Sequence, residues 1–420
     1  MIIRNFGDLA NTSRKKQALQ ILEAGMRAAD PARIVPRFAG RGRIASERTY
    51  RVADYDAVHV LAFGKAAGTM AAAFDSGVRA ASGLVVLPRG APAGVRGPRF
   101  RVLRASHPDP DASSVRAARE ALKFLRARRS GELVVFLVSG GGSSLLCLPD
   151  GVTLADKARA ASLLMRAGAG IGELNCVRKH LSQVKGGRLV EGMECDGTAL
   201  AISDVEGDDP AVIASGMTYG DDTTYADALD VVRRRRLEGR MPRGVMRVLR
   251  EGAASGGAPG GGVGLTVMAG NASCTAAMAS AARKMGYRAE VVHVFGEIKE
   301  AAGRIHGMMS GPGRCLVFGG ETTTRVLGRG TGGRNHEMVL RLLKKSGGGQ
   351  RAVIAAMGTD GVDGSSTYAG AITENRAADP GAIRDALRRS DSGGFFEARG
   401  ASIRTGPTGT NLMDIGVVLQ

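Results

Sequence analysis

The stretch ELVVFLVSGGGSSLL, Glu132 to Leu146, decides the fold. Residues Leu133 to Val138 are apolar without a break. A strand with one wet face alternates, whereas a strand covered on both faces is apolar throughout, as in the parallel sheets of α/β proteins. Working outward, the same unit recurs: a short β-branched run ending near glycine, then an alanine-rich amphipathic stretch. Strands are predicted at AVHVLAFG from Ala57, GLVVLP from Gly83, TALAISDV from Thr198, GLTVMAGN from Gly264, AEVVHVF from Ala289, RCLVFGG from Arg314 and AVIAAMG from Ala352. Between them, ASSVRAAREALKFLRAR from Ala112 and ASCTAAMASAARKMG from Ala272 carry apolar residues at helical spacing. That alternation predicts an α/β fold with a mainly parallel sheet.

With 420 residues the chain exceeds the ~250–300 residues at which single cores stop growing, so two α/β domains are expected. The clearest break in composition is the glycine-rich tract Gly252–Gly264. We place the boundary just before it, giving domains 1–240 and 241–420, with the helix from Pro242 in the second.

The net charge of +18 makes anionic partners natural, either nucleic acid or small molecules. Arginine is concentrated at Arg33, Arg37, Arg41 and Arg43 and at Arg233 to Arg236. Single-strand binders interleave such charge with aromatic platforms, but this chain has no Trp and only 4% aromatic residues. A basic solvated surface is the expectation, with no nucleic-acid partner. The five cysteines form no CxxC pair and read as reduced core residues. No apolar run approaches the ~20 residues of a membrane span, which predicts a cytoplasmic protein without a membrane partner, monomeric or homodimeric.

Five loops at the carboxyl ends of predicted strands combine glycine with reactive side chains, which is where open α/β sheets place ligands. In AFGKAAGTM, Lys65 opens a helix just after Gly64. In VSGGGSSLL, Ser139, Gly140, Gly141, Gly142, Ser143 and Ser144 offer backbone N–H groups and hydroxyls to a phosphate or carboxylate, although the GK[ST] ending of a Walker A motif is missing. IGELNCVRKHLSQVKGGRL reads as a helix up to Lys185 with Asn175, Arg178, Lys179 and Ser182 on one basic face. SDVEGDDP sets Asp204, Glu206, Asp208 and Asp209 within six residues, a donor set suited to Mg2+. GGETTTRVLGRGTGGRNHEM and GTDGVDGSS bring Arg334, Asn335 and His336 to a helix start and Asp360 and Asp363 to the following turn. Arginine can clamp a carboxylate or phosphoryl group through two parallel bonds. His336 reads by default as a packed histidine.

Six segments in order, SGGGSSLL, ELNCVRKHLSQVKGGRL, SDVEGDDPAVIASG, GGETTTRVLGRGTGGRNHE, GTDGVDGSSTYAGA and GPTGTNLMDIGVVL, resemble the glycerate 2-kinases of the MOFRL class. The resemblance runs over nearly the whole chain. It implies two α/β domains, the first Rossmann-like, with ATP and glycerate meeting in the cleft between them and 2-phosphoglycerate as product. It also implies Lys65 and Arg334 as the catalytic basic pair. Met217, where the family has proline, and His336, where it has glutamine, depart from the pattern.

Combined with the loops, this reading makes Lys65, Arg334 and Asp204 the catalytic candidates. The nucleotide falls to residues 139–144, Lys185, Asn271 and Asp360, and Mg2+ to Asp204, Asp208 and Asp209. Asp204 or Asp360 would accept the hydroxyl proton. An NAD-dependent hydroxypyruvate reductase would need a GxGxxG turn between strand and helix with an acidic residue about 20 positions on, and no such unit is found.

Overall fold

The computed structural model describes residues 1–255, 261–309, 311–347, 350–376 and 379–420. The middle of the Gly252–Gly264 tract therefore lies outside the described residues. The chain forms two compact units, one of Val35–Met268 and one of Met1–Ile34 with Ala269–Gln420.

The unit Val35–Met268 is built on a six-stranded sheet in the order Phe100–Ala105, Ser82–Pro88, Ala57–Phe63, Glu132–Ser139, Asp196–Ile202 and Gly264–Ala269. Its first five strands pair in parallel. The strand Glu132–Ser139 is buried from Leu133 onward, as its unbroken apolar run requires. In register, Ala57 lies opposite Glu132 and Phe63 opposite Val138. From Ala57–Phe63 the chain adds strands outward on one side, then crosses over to lay Glu132–Ser139 on the other. The carboxyl ends of these two strands are therefore a topological switch point, where such sheets open a crevice for ligand. Helix Ala112–Arg126 starts on a capping box, with Asp111 accepting from Ser113 N–H and Ser114 reaching back to the Asp111 N–H.

Four helices, Leu154–Arg166, Ile171–His180, Tyr225–Arg234 and Arg243–Ser255, close around a separate apolar cluster that includes Leu164, Val177, Val232, Val245 and Leu249. This cluster corrects the expected boundary at 240/241. The apolar face of Arg243–Ser255 is buried against Tyr225–Arg234, and Gly264–Ala269 extends the first sheet, so both belong with the residues before them.

The other unit holds a mixed sheet in the order Arg288–Glu297, Arg314–Thr323, Asp414–Leu419, Val353–Gly358, Gly370–Glu374 and Ser402–Ile403. Only the first pair is parallel. The sheet is mixed for a physical reason. Parallel strands need a crossover of a dozen or more residues, usually helical, and residues 359–369 provide no helix, so Gly370–Glu374 folds back antiparallel. The amino-terminal helix Ser13–Ala28 packs on Asn271–Lys284, where Gly25 admits Met278 and Ile415: a β-carbon at Gly25 would lie 2.8 Å from the Met278 side chain. That packing is why residues 1–34 leave the domain expected from their position in the chain.

Candidate active site

In the unit Val35–Met268 the site is assembled at the switch point. Gly64 has φ +127°, and a β-carbon there would sit 2.2 Å from Ser139 Oγ and 2.4 Å from its carbonyl oxygen, so only glycine lets the two strand ends meet. The contact is stitched by two bonds: Lys65 N–H donates to Gly140 O at 2.8 Å and Ala66 N–H to Ser139 Oγ at 3.0 Å. Ser139 is thus fully buried, its hydroxyl accepting from Ala66 N–H. Gly141, at φ +83°, leaves the approach open between His107 and Lys65; a β-carbon there would be 2.9 Å from the His107 ring and 3.4 Å from Lys65 Cγ.

Ser143 is the hub. Its Oγ accepts from Lys185 Nζ at 2.5 Å and from Arg178 Nη2 at 2.9 Å, and lies 2.9 Å from Ser215 Oγ. Lys185 also donates to Ser143 O at 2.9 Å. The expected helix through Lys185 ends at His180. Residues 181–187 instead turn into the interior, so Lys185 is 1% exposed and Lys179 and Ser182 are buried rather than displayed on a basic face. Lys179 forms a buried pair with Asp221 at 3.1 Å. Lys157, on helix Leu154–Arg166, donates to Leu181 O at 2.8 Å. Burial, with Arg178 and Lys157 adding to it, pushes Lys185 well below the ordinary lysine value. Burial pushes Lys157 down to about 7, with Arg178 and Arg188 acting in the same direction.

The carboxylate turn behaves differently from the expectation. Among the described residues no group of three or more His, Cys, Asp or Glu is gathered that could hold a metal ion. Asp209 accepts from Ala211 N–H at 2.9 Å, and Asp208 sits at φ +55° beside Gly207. Asp204 lies half-buried just past the strand end. Mg2+ is commonly held by one or two carboxylates together with substrate phosphates, and this donor set fits that mode but not an all-protein cage.

In the other unit Arg334 opens helix Arg334–Ser346 behind Gly333. Its Nη1 donates to Glu321 Oε1 at 2.5 Å, its Nε donates to Asp414 Oδ2, and its Nη2 reaches Asp414 Oδ1 at 3.4 Å. Burial works against the charge, but Asp414 and Glu321 outweigh it and hold the guanidinium above its ordinary value. Asp363, 1% exposed, accepts from Asn335 N–H at 2.9 Å, His336 N–H at 2.8 Å and the His336 ring at 2.5 Å, and so fixes the helix start that carries Arg334. His336 is fully buried, as a packed histidine should be. Val294, Phe318, Gly320, Thr322, Arg334 and Asp414 line a cavity of about 10 Å³. The amide of Asn271 donates to Leu412 O at 2.8 Å and Asp414 O at 2.9 Å. It holds the strand that carries Asp414. Asp360 Oδ1 accepts from Val362 N–H at 3.2 Å in the turn after Val353–Gly358.

Sequence reasoning assigned no role to Asp414, Glu321, Lys157 or Ser215. Asp414 and Glu321 stood in quoted motifs, and a lone carboxylate at the mouth of an apolar strand was the available signal.

One unit thus holds a glycine–serine loop at a sheet's switch point, ringed by lysine and arginine, and the other a carboxylate-clamped arginine at a helix start, in a protein of the α/β class. Residues 17–250 match a domain described as "Domain of unknown function (DUF4147)", and residues 314–414 match the MOFRL family. A "Glycerate 2-kinase" of Pyrococcus horikoshii is 35% identical over 86% of this chain and 87% of its own. A "D-glycerate 2-kinase" of Thermotoga maritima is 34% identical over 96% and 97%. An Agrobacterium vitis protein described as "Putative hydroxypyruvate reductase" is 38% identical over 86% and 98%. The crystal structure of a Thermotoga maritima glycerate kinase superposes with a TM-score of 0.80 at 32% identity, covering 97% of this chain and 99% of that one. The chain belongs to the MOFRL-class glycerate 2-kinase family.

Proposed function

We propose that this protein transfers the γ-phosphoryl group of ATP to the 2-hydroxyl of D-glycerate, yielding 2-phosphoglycerate and ADP. The observation that carries this reading is the convergence of Lys185 and Arg178 on Ser143 within the glycine–serine loop. Phosphoryl transfer asks the protein for alignment and for neutralisation of charge on the moving group, and little covalent chemistry. The loop 140–144 with Lys185 receives phosphate oxygens. Lys65, fixed through its backbone to Gly140, and Arg334 neutralise the transferring group and the glycerate carboxylate. Asp414 engages Nε and, at 3.4 Å, Nη2 of Arg334, and Glu321 engages Nη1, which fixes the guanidinium plane; Nη2, with a second N–H, is the nitrogen that faces substrate. The glycerate hydroxyl oxygen forms the new P–O bond as the bond from γ-phosphorus to the ADP oxygen breaks, and the hydroxyl proton passes to Asp204 or Asp360. Mg2+, when carried in by the nucleotide with Asp204 as its protein carboxylate, would supply further charge neutralisation.

A coupled assay of ADP release over a panel of small hydroxy acids tests the reading. D-Glycerate is expected to exceed lactate and glycolate in kcat/KM by at least tenfold. Equal rates on all three, or NADH consumption with hydroxypyruvate and no ADP release, would contradict it.

A further inference from the structure

Beside the glycine–serine loop stand three cations that, among the described residues, form no salt bridge with a carboxylate. Lys179 shows the contrast, since it is as buried as Lys157 and is matched by Asp221, which is itself held by Thr223. Among the described residues, Lys157, Arg178 and Lys185 form no ion pair. Lys157 donates to the carbonyl of Leu181, Lys185 to the carbonyl and hydroxyl of Ser143, and Arg178 to the same hydroxyl and to Asn175 Oδ1 at 3.4 Å. Every one of these acceptors is neutral. Neutral oxygens solvate a buried cation without cancelling its charge, and burying uncancelled charge is unfavourable. An anion of two charges would correct the imbalance, and two of the three cations already meet on one oxygen atom.

We propose that Lys157, Arg178 and Lys185, with the hydroxyl of Ser143, form the seat of a phosphoryl dianion. The assignment rests on the kinase reading for its source, which is the phosphate of the nucleotide or that of the phosphorylated hydroxy acid. Arg178 and Lys185 turn their donors from Ser143 Oγ to the phosphate oxygens, and Lys157 adds its charge from behind. The titratable groups acting on the two lysines, besides each other and Arg178, are Cys147 on both and Arg188 and Asp150 on Lys157. Burial and the neighbouring cations disfavour protons on these lysines in the ligand-free protein, and a dianion reverses that balance. Occupation of the seat therefore draws protons from solvent near neutral pH.

Calorimetric titration at pH 7.5, in two buffers of different ionisation enthalpy, reads affinity and proton uptake together. The probes are inorganic pyrophosphate, ADP and 2-phosphoglycerate. At least one is expected to bind the wild-type protein with net proton uptake, to lose tenfold or more in affinity in Arg178→Met, and to take up fewer protons in Lys157→Met. A response confined to ADP and pyrophosphate assigns the seat to the nucleotide; one confined to 2-phosphoglycerate assigns it to the acid. Binding without proton uptake and with unchanged affinity in Arg178→Met overturns the seat, while glycerate phosphorylation by that same protein would keep the kinase. Pyrophosphate binding with proton uptake, in a protein that phosphorylates no glycerate, keeps the seat and removes the kinase. If Arg178→Met does not fold, the wild-type titration decides, and absence of uptake with all three probes overturns the proposal.

Discussion

Ser143 and Asp414 do opposite work, one in each unit. Ser143 is a neutral oxygen that gathers cations, and Asp414 is a carboxylate that clamps one. Lys65 and Arg334 enter through the family resemblance, and Lys185 through a polar run read as helical, so each was marked by a local motif in the sequence. The role of Asp414 was not legible, because it depends on meeting Arg334, a residue 80 positions away, across two antiparallel strands. Lys157 was hidden in the same way, since DKARAA reads as a solvated helical turn until the neighbouring helices bury it. Lys65→Ala is expected to lower kcat by about 10²-fold or more, the scale of losing a preorganised charge at a transition state, with the melting temperature nearly unchanged; near-normal turnover would remove Lys65 from the chemistry. Asp363→Ala leaves the Asn335 and His336 N–H groups without their buried acceptor and is expected to lose about 2–4 kcal/mol in urea melts. A loss under 1 kcal/mol would mean that the helix carrying Arg334 is held by something else.

Every strand read from an apolar run is present; most are buried on both faces, whereas Arg288–Glu297 is an edge strand and largely exposed. The strands that escaped notice, such as Phe100–Ala105 and Ser402–Ile403, are short or mix apolar and charged residues at a sheet edge. Helix Ile171–His180 was drawn too long because the residues that follow it are polar and helix-compatible. Their burial comes from bonds such as Arg188 to Ser182 O at 3.0 Å, which local propensity does not encode. At this scale the sharpest test is Gly64→Ala. The φ of +127° and the 2.2 Å approach to Ser139 make the added methyl push two strand ends apart. Destabilisation of about 2 kcal/mol or more is expected in denaturant melts, of the order of a strained backbone plus a displaced contact, and kcat should fall with it. A variant that kept wild-type stability and activity would show that the strand ends need not touch.

For the whole molecule the excess of positive charge has two destinations. Much of it is on the surface, in exposed pairs such as Arg51 with Asp54 and Arg247 with Glu251, which contribute little each. A few cations are buried, and they make stability depend on pH. Below about pH 7 Lys157 is charged in both folded and unfolded chains, and the folded state bears the whole penalty of burying it. Between about 7 and the ordinary lysine value of 10.5 the unfolded chain keeps a proton that the folded chain has shed, so this group makes stability rise with pH. Thermal melts of ligand-free wild type and Lys157→Met should therefore show the variant relatively more stable at pH 6.5, with the difference shrinking toward pH 9.5. A difference independent of pH would mean that Lys157 is not buried as a strained cation.

The measurement that bears most directly on the central claim is ³¹P NMR of the purified protein with ATP, Mg2+ and D-glycerate. It reports turnover and the position of the new ester at once. Growth of a 2-phosphoglycerate resonance as the ATP γ-phosphate signal declines and ADP appears is the expected result. Folded protein that leaves ATP and glycerate unchanged, or that places the phosphate on the 3-hydroxyl, would contradict it.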